Sequence, residues 1–228
     1  MVIKILLALW LLFSLALPAP AQESPGTPAL EPRTGISFPQ ALGPLARMGM
    51  KKYDLPELGV SYRYAGKPLP IADIYIYDNG LKDLGTGVSQ MVRTHFEEVK
   101  SEISLLGKSG NYRGVKKVSE RETSLPPGTR KIPALTAVFT YSIPAGKGVA
   151  YTGVRTSHIL LTAYKGQLLK IQFTYPHDQE EQGKKALQKF LADFGKALGG
   201  QKIITSQNPK NNDKTSKKKN NKSRMAGR

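Results

Sequence analysis

The sequence contains no cysteine among its 228 residues and only three histidines. Without cysteine, the chain has no disulfide bonds, no thiolate ligands for a metal and no thiol nucleophile. The histidines His95, His158 and His177 do not have the spacing of zinc ligands on one helix. Ser157 and His158 are neighbours in an extended segment, so their side chains point to opposite faces and do not form a catalytic pair. We therefore predict no catalytic residues, no metal site and no bound cofactor.

An apolar run long enough to cross a membrane is also missing. The run from Ile5 to Leu17 has thirteen residues, whereas a bilayer core requires about 20. Lys4 precedes the run, and the small residues of Ala19-Pro20-Ala21 follow it at the positions that signal peptidase recognises. We predict that residues 1–21 are a signal peptide and that the mature protein is periplasmic or secreted. The alternative is an uncleaved membrane anchor.

Acidic residues are scarce: the chain has 34 Lys and Arg against 17 Asp and Glu, and its net charge is +17. The segment 205–228 contributes strongly, with six Lys and two Arg against Asp213 alone. This segment has almost no apolar side chains, so it cannot bury enough surface to offset the entropy lost on ordering. We predict a disordered basic tail at residues 205–228. The Pro- and Gly-rich residues 22–35 are predicted to be a disordered lead-in.

The residues between these ends, 36–204, are predicted to form a single α+β domain. Three short extended segments come first, and apolar residues at three- and four-residue steps from Val88 to Leu106 then predict a helix. Four strands follow, and a second apolar stripe from Leu187 to Leu198 predicts a closing helix. The strand connections are too short for parallel crossovers. The predicted fold is a mostly antiparallel sheet of six to seven strands, flanked by two main helices as a sandwich.

The last two strands allow a prediction of register. A two-residue loop at Lys165-Gly166 would pair Leu161 with Lys170 and divide the apolar side chains between opposite faces. A three-residue loop would instead pair Leu161 with Leu169 and place the apolar residues of both strands on one face. We therefore predict the three-residue, bulged hairpin, with Gly166 in the left-handed conformation.

This order of elements, with one long helix in the middle and another at the end, resembles the sandwich of the photosystem extrinsic protein PsbP and of bacterial periplasmic DcrB-like proteins. The resemblance covers roughly residues 36–200 and concerns the order of elements only. No family motif can be matched to this sequence, so no functional residue is transferred. The resemblance implies a non-catalytic accessory or binding domain.

Four tyrosines in one predicted hairpin give the best candidate site in the folded part. They belong to the segments Tyr62-Arg63-Tyr64 and Tyr75-Ile76-Tyr77. If Tyr75 and Tyr77 face outward beside Arg63, the three side chains form an aromatic and basic platform for a glycan, a peptide or a partner surface. The alternative is that these tyrosines pack beneath a helix.

The basic tail gives a second candidate site, because a flexible cationic segment attracts polyanions. The residues expected to make these contacts are Lys217, Lys218, Lys219, Lys222, Arg224 and Arg228. Behind a signal peptide the available polyanions are lipopolysaccharide, anionic phospholipid and acidic wall polymers. Nucleic acid is not expected, because no aromatic residue is present among the charges to stack on bases. The alternative is a solubilising tail that has no partner.

These observations together favour an exported, non-enzymatic accessory or binding domain whose partner is another protein or component of the envelope. The alternative is an envelope-surface polyanion binder that acts through its tail. An enzyme with an unrecognised site is a third possibility.

Overall fold

The computed structural model describes residues 28–67, 69–125, 131–146, 149 and 151–199. The predicted signal peptide and the predicted basic tail lie outside these residues. The strands are β1 (Ala29–Glu31), β2 (Ile36–Phe38), β3 (Ala41–Leu42), β4 (Leu45–Lys52), β5 (Val60–Ala65), β6 (Ile71–Tyr77), β7 (Arg113–Leu125), β8 (Ile132–Ser142), β9 (Arg155–Tyr164) and β10 (Gln167–Pro176). The helices are α1 (Gln90–Lys108) and α2 (Glu180–Gly199), with 3-10 turns at Pro56–Leu58 and His177–Gln179. Within the described residues, neither helix combines the length and hydropathy that a bilayer crossing requires.

Eight of the strands form one antiparallel sheet in the order β3-β4-β5-β6-β10-β9-β8-β7. Its centre joins the two halves of the chain, because β6 pairs with β10. The predicted α+β fold class is confirmed, with eight strands in this sheet where six to seven were expected.

The folded part begins earlier than predicted, because β1 and β2 pair as a separate hairpin within residues 29–38. The Glu31 carboxylate accepts hydrogen bonds from the Thr34 backbone N–H at 2.7 Å and from the Thr34 hydroxyl at 2.5 Å, which closes the turn. Arg33 anchors the same turn to the sheet by donating to the backbone oxygen of Ile76 at 2.8 Å. The prediction of a disordered lead-in up to residue 35 is therefore wrong for residues 29–35. Local composition does not reveal these long-range contacts.

The sheet is covered on both faces, which produces two apolar cores. On one face, α2 packs through Leu187, Phe190 and Phe194 against a core that includes Ile171 and Phe173 of β10. On the other face, α1 packs through an apolar stripe onto side chains of β6, β8, β9 and β10. The sequence is consistent with helices on both sides of the sheet, because several strands carry apolar residues on both faces.

The predicted register of the β9–β10 hairpin is wrong. Tyr164 pairs with Gln167, so the loop has two residues, and Leu161 lies opposite Lys170. Lys165 and Gly166 both have positive φ angles, 49° and 78°, as a two-residue type I′ hairpin turn requires. As a result, Leu161 faces α1 while Ile171 faces α2. The predicted register assumes that the apolar residues of β9 and β10 share one face. Because this sheet is buried on both faces, apolar residues occur on both, and the assumption does not hold.

Helix α1 determines what is enclosed on its side of the sheet. The Ser89 hydroxyl caps its first turn by accepting a hydrogen bond from the Val92 N–H at 3.3 Å. The buried residues of the helix are Val92, His95, Phe96, Val99, Glu102, Ile103 and Leu106. Two titratable side chains, His95 and Glu102, therefore lie on the face that contacts the sheet.

Candidate functional site

The three residues of the predicted platform lie on neighbouring strands, on the face of the sheet that α1 covers. Arg63 of β5 is directly opposite Asp73 of β6. The guanidinium donates two hydrogen bonds to the carboxylate, from Nε to Oδ1 at 2.7 Å and from Nη2 to Oδ2 at 3.0 Å. This bidentate pair lets a charged arginine lie half-buried at the rim of the apolar core.

Tyr75 and Tyr77 do not form an exposed platform, because only 5% and 1% of their surfaces are accessible to solvent. Both rings belong to the core beneath α1. The prediction that these two side chains face outward beside Arg63 is wrong, and the alternative of tyrosines packed under a helix is correct. Arg63 does share their face, but its charge is neutralised by Asp73.

A buried lysine lies at the centre of this face. Lys170 of β10 is directly opposite Tyr75, and only 2% of its surface is exposed. Its ammonium nitrogen is 4.4 Å from the centroid of the Tyr75 ring and 5.8 Å from that of Tyr77, within the range of cation–π attraction. Burial lowers the pKa of Lys170, and the carboxylates of Glu102 and Asp73 oppose this change.

The hydroxyl of Tyr77 links the lysine region to helix α1. It lies 2.8 Å from Nε2 of His95, whose Nδ1 lies 2.8 Å from a carboxylate oxygen of Glu98. Burial lowers the pKa of His95, while the hydrogen bond to Glu98 opposes the change. A neutral imidazole satisfies both contacts, because Nδ1–H donates to Glu98 and Nε2 accepts from the Tyr77 hydroxyl.

The resulting group, the buried cluster, consists of Tyr75, Tyr77, His95, Glu102 and Lys170. Burial is the main reason that the pKa values of the two tyrosines lie well above their usual value, so both remain protonated donors at neutral pH. The cluster thus places a lysine, a histidine and a carboxylate in a low-dielectric space beneath α1. Tyr77 contacts His95, Lys170 contacts the two tyrosine rings, and the Glu102 carboxylate acts electrostatically on Lys170. All five side chains are closed off from a dissolved substrate in this conformation.

Sequence reasoning missed Lys170 and Glu102 as members of this cluster. The available signal is that Lys170 is the only charged residue in β10, but the incorrect register assigned it to the wrong face of the sheet. Glu102 follows Val99 by three residues and precedes Leu106 by four, so it lies beside the apolar stripe and not opposite it. A charged residue at such a position in a buried helix face indicates a partner inside the fold.

A second titratable group lies on the opposite face of the sheet. His158 is half-buried, and its Nε2 is 2.9 Å from the hydroxyl of Tyr175. Burial lowers the pKa of His158 to about 4, with the positive charges of Lys184 and Arg121 acting in the same direction. In the three-residue register expected from the sequence, which pairs Leu161 with Leu169, His158 would lie opposite Gln172. In the structure it lies opposite Phe173, on the α2 face.

This depressed pKa predicts a pH-dependent stability. The usual pKa of histidine is about 6.5, so below that pH the unfolded chain binds a proton that the folded chain does not. The free energy of unfolding should therefore fall as the pH decreases from about 7 to 4, by at most about 3 kcal/mol from this group. Urea unfolding of the wild type and of His158→Gln at several pH values would measure it. The difference between the two proteins should change across this range, and parallel curves would contradict the prediction.

The tail residues predicted to contact polyanions, Lys217, Lys218, Lys219, Lys222, Arg224 and Arg228, lie outside the described residues. Among the residues that the structure does describe, no group of three or more His, Asp or Glu side chains is arranged to hold a metal ion.

Comparison with known proteins gives a structural match. The chain is similar to the solution structure of cyanobacterial PsbP (CyanoP) from Synechocystis sp. PCC 6803, with 12% sequence identity and a TM-score of 0.41. The alignment covers 78% of this chain and 96% of that one. No protein-family model and no curated protein sequence matches the chain. At this identity and TM-score the match transfers no residue role and no function.

Proposed function

We propose that this protein is an exported, non-enzymatic accessory domain that binds another component of the cell envelope. The observation that carries the proposal is the burial of the cluster around Lys170. The groups best suited to chemistry, namely Lys170, His95 and Tyr77, are each at most 2% exposed. A substrate would have to displace α1 to reach them, whereas a binding partner needs only the outer surface.

The predicted signal peptide at residues 1–21 supports the export of this protein. Mass analysis of the N-terminus in envelope fractions should give a mature protein that begins at Gln22, because the small residues at Ala19 and Ala21 suit signal peptidase. An intact Met1 on membrane-bound protein would instead support an uncleaved anchor.

A second candidate function, favoured by the charge distribution, is polyanion binding through the tail. Residues 206–228 hold eight basic residues and one acidic residue. Each Lys or Arg near an anionic membrane contributes about 1 kcal/mol of attraction. Such a tail can therefore hold the protein at lipopolysaccharide or anionic phospholipid without a folded binding site.

Deleting residues 206–228 tests the tail. The truncated protein should melt at nearly the same temperature, because the segment has almost no apolar residue to bury. Its affinity for vesicles of phosphatidylglycerol and phosphatidylcholine should fall at least about tenfold. Binding by the full chain should also weaken steeply between low and physiological salt.

A matched control for this deletion keeps the length of the tail and changes only its charge. Replacing its eight basic residues by Gln should reduce vesicle binding as much as the deletion does. Binding that survives both changes, or that is insensitive to salt, would refute the role of the tail and leave the folded domain as the binding element.

A further inference from the structure

Exposed apolar side chains are concentrated at one edge of the sheet. In the described part of the chain, the large apolar residues with exposed side chains are Leu30, Met48, Met50, Leu55, Met91, Val118 and Val154. Three of them lie close together in the stretch from Met48 in β4 to Leu55 in the turn after it. Their exposed fractions are 55% for Met48, 47% for Met50 and 44% for Leu55. The other four are spread over separate parts of the chain: Leu30 in β1, Met91 in α1, Val118 in β7, and Val154 just before β9. A local concentration of this kind indicates an interaction surface, whereas single exposed apolar residues do not.

The position of β4 makes these side chains accessible. Its inner side pairs with β5, and its outer neighbour β3 pairs only with Leu45 and Ala46. Among the described residues, the segment from Met48 to Lys52 therefore forms the outer edge of the sheet. Space is also open at Gly49, where an added Cβ would meet no atom within 4 Å.

Two basic residues, Lys51 and Lys52, follow the exposed methionines in β4. Lys52 is exposed on the same face of the sheet as Met50, whereas Lys51 points to the opposite face, where it is half-buried with its ammonium group 5.0 Å from the centroid of the Tyr53 ring. The acidic residue Asp54, also exposed, lies next to Leu55, so the excess of positive charge lies at the Met48–Lys52 end. We call Met48, Met50, Lys51 and Lys52 the β4 edge.

We propose that the β4 edge binds the surface of an anionic phospholipid bilayer. With this edge strand against the bilayer, Lys52 on the face of Met50 and Lys51 on the opposite face contact lipid phosphates, and the two methionine side chains enter the boundary between headgroups and acyl chains. Flexible thioether side chains adapt to such an irregular surface, and apolar burial combined with attraction to anionic lipid is how proteins bind at an interface. This inference rests on the proposed binding function, but it assigns a site to the folded domain that is independent of the tail.

Two other occupants fit the β4 edge less well. A second copy of this chain would place Lys51 and Lys52 near the same residues of its partner, where like charges repel. An added peptide strand requires a regular row of backbone groups, but the ladder is interrupted by a register shift between Arg47 and Gly49. Bulges and lysines are the features with which natural edge strands resist strand addition. Binding to a membrane surface uses only the side chains of the β4 edge and does not require a regular row of free backbone groups.

The absence of cysteine from the chain makes a direct test possible. A Met50→Cys substitution in the mature full-length protein allows an environment-sensitive fluorophore to be attached at one position. Vesicles of phosphatidylglycerol and phosphatidylcholine should shift its emission to the blue and increase its intensity, whereas pure phosphatidylcholine should not. The matched control is Val118→Cys on β7, at the opposite edge of the sheet and 56% exposed, where the spectrum should remain that of a probe in water.

Charge reversal tests the two lysines of the β4 edge. The double variant Lys51→Glu and Lys52→Glu should require at least about tenfold more anionic lipid for the same spectral change at position 50. The control is Arg113→Glu with Lys116→Glu on β7, which has the same net charge as the Lys51 and Lys52 double variant. It should not alter the lipid-induced spectral change at position 50, because both residues are exposed at the opposite edge of the sheet.

Each contrary result has a distinct physical meaning. If the protein binds vesicles while the probe at position 50 stays in water, binding occurs through another part of the chain, such as the tail, and the β4 edge has no role. An equal change at positions 50 and 118, or no binding to anionic vesicles, also overturns the proposal. A spectral change that depends on protein concentration without lipid would assign the β4 edge to a second copy of the chain.

Discussion

Replacing Lys170 by Met is expected to destabilise the protein by up to about 3–5 kcal/mol, the cost of leaving a buried charge without its counter-charge. Lys170 and Glu102 are both enclosed beneath α1, and the Glu102 carboxylate raises the pKa of Lys170 against the effect of burial. Methionine fills much of the volume of the lysine, but it leaves the buried carboxylate without that cation. Chemical denaturation at neutral pH would measure the loss.

A double variant separates the effect of charge from the effect of packing. Lys170→Met combined with Glu102→Met removes both charges and keeps similar volumes, so it should recover most of the lost stability. Helical content should be unchanged in both variants. If the single variant is as stable as the wild type, or if the double variant is no better than the single one, the two charges are not coupled.

The buried cluster could be predicted only in part, because the sequence leaves open whether Tyr75 and Tyr77 face water beside Arg63 or pack under a helix. Arg63 alternates with Tyr62 and Tyr64, and a charged residue on a strand face is compatible with an exposed face. The assignment of these residues to a common face was correct. The inference of exposure failed because Asp73 lies directly opposite Arg63 and neutralises it. Such a partner becomes apparent only when strand pairing is known.

The order of elements and the two amphipathic helices could be predicted with more success, because each depends on local periodicity. Register could not be predicted in the same way. In β9 and β10, apolar side chains occupy both faces, so hydrophobic pattern does not distinguish a two-residue loop from a three-residue loop. Turn geometry decides instead: Lys165 adopts a positive φ angle of 49° beside Gly166. A lysine in this conformation is uncommon, and the sequence alone favours glycine there.

Phe173→Ala is expected to cost about 3–5 kcal/mol, the range found when a buried phenylalanine is truncated. The side chain is fully buried on the α2 face, and its ring centroid lies 5.4 Å from that of Phe190. Leu30→Ala serves as the control, because Leu30 is 59% exposed and surface substitutions usually change stability by less than about 0.5 kcal/mol.

Double-mutant cycles with Phe173 then test the register of the β9–β10 hairpin. Truncating Phe173 and Phe190 together should be non-additive by about 0.5–3 kcal/mol, because their rings are in contact. Truncating Phe173 and Ile159 together should be nearly additive, because Ile159 lies opposite Gln172 and belongs to the core beneath α1. In a bulged hairpin, Ile159 and Phe173 would share one face and couple. Strong coupling between these two residues, with additivity between Phe173 and Phe190, would therefore contradict the two-residue turn.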